Sequence, residues 1–137
     1  MLLNQDESGG GSTITQQLAK LLFERPNLKG KNKLVKSVMM VRVKMKEWLT
    51  AIKLEKSYTK EEIIAMYLNK FDFIYEAQGV QTAAKTYFGK DQRSLRLDEC
   101  AMLIGMLKNP TLFNPKKFPE LALDRRNTVL ALVQQND

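Results

Sequence analysis

Leu34, Val38, Val41, Met45, Trp48 and Ile52 step by four and three along a stretch free of proline and glycine. That spacing is one face of a helix and predicts a long helix over about residues 33–56. Met40, Val43, Ala51 and Leu54 form a second apolar set around Glu47 on the far side. Apolar residues on two faces place the helix through the centre of a domain, with Glu47 among apolar neighbours. Desolvation there would favour the neutral carboxyl. Glu47 is therefore either a catalytic candidate or the partner of a flanking lysine in a structural ion pair.

The rest of the chain is also helical in spacing, with no alternating strand and no internal repeat. A first helix is expected over about 14–24, ended by Pro26 and followed by a basic loop, 27–33, with Gly30. Thr59 and Glu62 make a capping box that starts a third helix, running to about Asn69. Further helices are expected over about 76–88, stopped by Gly89, and over about 97–107, closed by Asn109 and Pro110. Pro119 opens the last, to about Gln134. Loop 108–118 holds Pro110 and Pro115 and is expected to wrap the surface. The expectation is an all-α chain forming one domain, 1–137.

Composition narrows the chemistry. The net charge is +7, which favours anionic partners such as nucleic acid, phospholipid headgroups or a pyrophosphate. The absence of His excludes imidazole acid–base catalysis and His-ligated metals. Cys100 stands alone among Ala101, Met102 and Leu103, and is expected in the core without a disulfide. No apolar run reaches the length of a membrane span. Residues 1–8 are short and polar, with no secretory signal. The start lies only a few residues before the most informative motif, so a fragment of something longer is expected.

That motif is Gly9-Gly10-Gly11-Ser12-Thr13-Ile14-Thr15-Gln16-Gln17-Leu18-Ala19-Lys20. Glycines run into Thr13, which caps a helix with Gln16 three residues on. Ile14, Leu18 and Leu22 face inward, leaving Gln16, Gln17 and Lys20 near the loop. A helix start with two amides and an ammonium can receive an anionic, hydroxyl-rich ligand. It can equally be a capped helix after a linker. A Walker-type phosphate loop is excluded, because Lys-Ser/Thr does not follow the glycines at the required spacing.

This stretch resembles the second motif of the peptidoglycan glycosyltransferases, the transglycosylase domains of class A penicillin-binding proteins and their stand-alone relatives. The later motifs follow in order. Residues 44–55, Lys44 to Glu55, are similar to the third, with Lys44 and Glu47 on the family's functional Lys and second Glu. The motif's Arg falls on Val43, and Arg42 stands one residue early. Residues 60–69 resemble the fourth motif, whose role is largely packing by Ile63, Ile64, Tyr67 and Leu68, with Asn69 at the helix end. Residues 79–90 resemble the segment after it, and Arg125-Arg126-Asn127 the fifth. The first motif, Glu-Asp-x-x-Phe with the general-base Glu, has no counterpart in residues 1–8. Leu21 stands where many relatives have Asn.

The resemblance implies a lysozyme-like all-α fold and the polymerisation of lipid-linked disaccharide-peptide (lipid II) into glycan strands. An acceptor 4-hydroxyl attacks C1 of the donor sugar with inversion, and polyprenyl pyrophosphate leaves. It implies Glu47 as a catalytic group that orients cations or holds a divalent Mg or Mn ion at the pyrophosphate, and no organic cofactor. Ser12, Thr13, Gln16, Gln17, Lys20, Lys44, Arg125 and Arg126 would bind substrate. The implied setting is the outer face of the bacterial cytoplasmic membrane, anchored by an N-terminal span absent from this chain, beside other cell-wall synthesis proteins. Nucleic acid is not an expected partner. A basic helical nucleic-acid module would leave the Ser-Thr-Ile-Thr-Gln-Gln run without a purpose. A lysozyme-like hydrolase would share fold and carboxylate chemistry but would act on finished wall. With no first-motif base, the 137 residues alone are not expected to polymerise glycan.

Overall fold

The computed structural model describes residues 13–23 and 25–136. Among these the chain forms α1 (Ile14–Leu22), α2 (Lys33–Ser57), α3 (Lys60–Lys70), α4 (Val80–Phe88), α5 (Leu97–Met106) and α6 (Pro119–Gln135), with a 3-10 turn at Gln92–Ser94. The described residues contain no strand, only an isolated bridge between Asp72 and Gln78. The all-α expectation holds. The chain divides into two compact units, residues 1–67 and 68–137, with the boundary inside α3.

In the first unit, Thr13 caps α1 as expected: the Gln16 amide donates to Thr13 Oγ1 at 3.3 Å. α1 buries Thr15, Leu18 and Ala19 and packs against α2. The face of α2 that becomes buried carries Glu47 and Ala51. This corrects the expectation for the Leu34–Trp48 stripe. Leu34 is 77% exposed, and Val38, Val41, Met45 and Trp48 are each more than half exposed. Periodicity finds an apolar face but not what lies against it, and a nine-residue α1 covers only one side of a 25-residue helix. Glu47, by contrast, is buried as expected, at 4% exposure. The capping box at α3 is complete: the Thr59 amide donates to Glu62 Oε2 at 2.7 Å, and the Glu62 amide to Thr59 Oγ1 at 3.2 Å.

The second unit is built on Phe73, Ala77, Ala83, Leu103 and Met106. The helix expected from residue 76 begins only at Val80. Ile74, Tyr75 and Glu76 all have positive φ, which no right-handed helix can hold. Asp72 Oδ1 accepts the Ile74 amide at 2.8 Å, and Phe73 and Ala77 pair around the turn. Gly79, at φ +81, then starts α4. Gly89 ends α4 in the left-handed region and Pro119 opens α6, both as expected. Buried Asn114 pins the 108–118 loop: its Oδ1 accepts the Lys116 amide at 2.9 Å and its Nδ2 donates to the Tyr87 hydroxyl at 3.3 Å. Cys100 is half-buried rather than in the core, and burial raises its thiol pKa.

Glu99 closes the start of α5. It accepts the Arg96 amide at 2.8 Å and pairs with Lys90 at 2.7 Å. The Arg96 amide first, then Lys90, hold its carboxyl below the ordinary carboxylate range. Arg96 does the same for Asp98. Below the ordinary value the unfolded chain binds more protons than the folded one, so stability rises with pH there. The thermal midpoint should therefore be level near neutrality and fall as pH drops below about 4.5. Glu99→Gln should flatten that fall when midpoints are followed by circular dichroism across pH 3–7. An unchanged acid profile in the variant would mean that the pair is not coupled to folding.

Candidate functional site

The site in the first unit follows from the mid-section of α2. A helix places residues i and i+3 on one face, so Lys44 lies over Glu47. The Lys44 ammonium stands 3.3 Å from Glu47 Oε2, and the Arg25 guanidinium 3.7 Å from Glu47 Oε1. A carboxylate at this depth has to be paired. Here each oxygen has its own cation, and both cations are about half exposed. They can still meet an anion from solvent.

Two hollows share Glu47 as a wall. One, about 250 Å³, is lined by Gln16, Lys44, Glu47 and Trp48. The other, about 380 Å³, is lined by Phe23, Arg25, Pro26, Met39, Arg42, Val43, Lys46 and Glu47. The structure thus brings Gln16, Lys44 and Glu47 together. Thr13 lines a different hollow with Glu55, Tyr58 and Lys60. Lys20 is half-buried on α1. Ser12 lies outside the described residues.

Gln17 is positioned by a bond the sequence did not reveal: the Tyr67 hydroxyl donates to Gln17 Oε1 at 2.9 Å. Tyr67 is buried, so it packs as expected, and the hydrogen bond is a second role. Burial also raises its phenol pKa, which keeps the donor proton in place. In the second unit, Arg125 and Arg126 lie on α6. Arg125 sits over the Phe113 ring at 5.8 Å, its Nε is buried without a hydrogen-bond partner, and its stem packs at Gly105. Arg126 donates twice to Asn127 Oδ1. Sequence reasoning missed Arg25, because a single arginine beside a basic loop carries no spacing signal. Its placement before Pro26 was the available clue.

A family model for transglycosylases matches residues 1–134. The chain belongs to the transglycosylase family. Penicillin-binding protein 2a of Streptococcus pneumoniae is 43% identical over 129 residues, covering 94% of this chain and 16% of that protein. Penicillin-binding protein 1A of Aquifex aeolicus is 46% identical over 121 residues, covering 88% of this chain and 15% of that protein. Penicillin-binding protein 1A of Escherichia coli is 42% identical over 130 residues, with 95% and 14% covered. This transglycosylase chain therefore spans about a sixth or less of the length of these relatives. The all-α architecture agrees with the fold its motifs implied.

Proposed function

We propose that this chain is part of a peptidoglycan glycosyltransferase that polymerises lipid-linked disaccharide-peptide into glycan strands. The observation that carries the reading is the meeting of Gln16, Lys44 and Glu47 around one hollow, in a chain that matches the transglycosylase family over residues 1–134.

In this reading the acceptor 4-hydroxyl attacks C1 of the donor sugar with inversion. The C1–oxygen bond to polyprenyl pyrophosphate breaks, and the acceptor proton goes to the general-base Glu of the family's first motif. Lys44 meets the developing charge on the pyrophosphate, with Lys20 as a further cation. Glu47 holds the Lys44 ammonium in place. Gln16 and Gln17, with Ser12 and Thr13, offer hydrogen bonds to sugar and phosphate oxygens. A divalent Mg or Mn ion would accompany the pyrophosphate and neutralise it. No three Asp, Glu, Cys or His side chains cluster among the described residues, and Glu47 is the carboxylate that lines the hollow beside Lys44. Phosphate oxygens and water would supply the rest.

The setting we propose is the outer face of the bacterial cytoplasmic membrane, with the growing glycan strand and other cell-wall synthesis proteins as partners. No described helix is long and apolar enough to cross a membrane.

The test is binding of inorganic pyrophosphate by titration calorimetry. Lys44→Ala should weaken it about tenfold, the range of a hydrogen bond to a charged group. Lys29→Ala and Lys31→Ala, in the loop, should change it less than about twofold, as single exposed charges do. Equal losses in all three would leave only diffuse attraction to a basic chain and would remove the site.

A further inference from the structure

We infer that Arg25 is a positioning residue for Glu47, holding from the α1–α2 loop the carboxylate oxygen that Lys44 does not reach. The inference rests on the glycosyltransferase reading above and deepens it by one residue.

Three observations carry it. Glu47 is buried on α2, and the two cations beside it approach different oxygens, Lys44 at Oε2 and Arg25 at Oε1. Lys44 shares the helix of Glu47 and so cannot by itself fix the rotation of the carboxylate plane. A second cation from another element can. The 380 Å³ hollow on the Arg25 side holds three cations, Arg25, Arg42 and Lys46, against the one carboxylate. Its remaining walls are Phe23, Pro26, Met39 and Val43, which weaken screening by water.

The loop is also built to present this side chain. A residue before proline is restricted to extended backbone, and Pro26 has a fixed φ. Downstream, Asn27 Oδ1 accepts the Lys29 amide at 3.0 Å and Gly30 turns the chain at φ +78. The Lys31 ammonium reaches Met39 Sδ at 3.3 Å, tying the loop to α2. A guanidinium has five donors in a rigid fork. A terminal nitrogen of that fork stands 3.7 Å from Glu47 Oε1.

The test uses the whole chain, with inorganic pyrophosphate as the probe. Arg25→Met keeps the aliphatic stem and removes the charge, and Arg25→Lys keeps the charge. The Met variant should bind pyrophosphate about fivefold more weakly, and the Lys variant within about twofold of the parent. In a Glu47→Gln background the further loss from Arg25→Met should vanish, because the residue it positions has lost its charge. Thermal midpoints of the four chains should show the same coupling without any ligand. Parental affinity in Arg25→Met, or losses that simply add in the double variant, would overturn the inference while leaving the Lys44 site intact. Failure of the parent chain to bind pyrophosphate would remove the underlying site, and thermal coupling alone would then mark a structural ion pair.

Discussion

Glu47→Gln is expected to lower glycan polymerisation by about 10² or more with little loss of stability, in a form of the domain that includes the first motif. The two halves of this expectation have separate causes. Glutamine fills nearly the same space, so the packing of α1 on α2 stays. The two cations that lose their partner are about half exposed and can rehydrate, while a buried charge and its desolvation cost disappear. Catalysis has no such compensation. Lys44 would no longer be held toward the pyrophosphate, and charge fixed in place before the transition state usually contributes most to an enzyme's rate. The check is strand synthesis from lipid-linked disaccharide, beside helix content and thermal midpoint. Near-normal turnover would leave Glu47 only a structural part in α2.

Gly79→Ala is expected to cost more than about 3 kcal/mol. Its φ of 81° and ψ of 161° lie in a region essentially reserved for glycine, worth about 1–3 kcal/mol to any other residue. An added Cβ would also stand 2.7 Å from the Asn69 carbonyl oxygen. That oxygen is backbone and cannot swing away. Gly89 provides the comparison. It too has positive φ, 65°, but nothing lies within 4 Å of a Cβ there. Gly89→Ala should therefore cost only about 1–2 kcal/mol, the penalty of a left-handed residue alone. At this chain length each kcal/mol lowers the thermal midpoint by about 3–4 °C, so denaturation curves separate the two. Equal shifts would mean that the Asn69 contact contributes nothing.

Local chemistry was legible and held. The Thr59–Glu62 box, the Gly89 stop and the Pro119 start each depend on a few neighbouring atoms, and each appears where the sequence placed it. Lys44 and Glu47 were singled out by the resemblance to the third motif, and the i, i+3 ion pair joins them. The turn at Ile74–Glu76 was not legible. Those residues have no local preference for left-handed backbone, and burial of Phe73 and Ala77 with the Asp72 bond imposes it. The orientation of α2 was not legible either, because two apolar faces compete and only the position of α1 decides. Thr13 and Gln16 parted company: Thr13 caps α1 and lines the hollow with Glu55, while Gln16, three residues on, lines the one with Glu47. Arg25 and the Tyr67 bond join residues far apart in sequence or out of register, where spacing is silent.

The Tyr67 hydroxyl has a consequence for how this chain can change over time. Position 67 lies in the fourth motif and position 17 in the second, 50 residues apart, yet one proton joins them. A phenylalanine at 67 would remove this donor from Gln17 Oε1, and an apolar residue at 17 would remove this acceptor from the Tyr67 hydroxyl. The two changes are expected to couple, the pair costing less than the sum of the single changes. Drift at one position is therefore expected to wait on the other, which ties the second motif to the fourth through one side-chain contact.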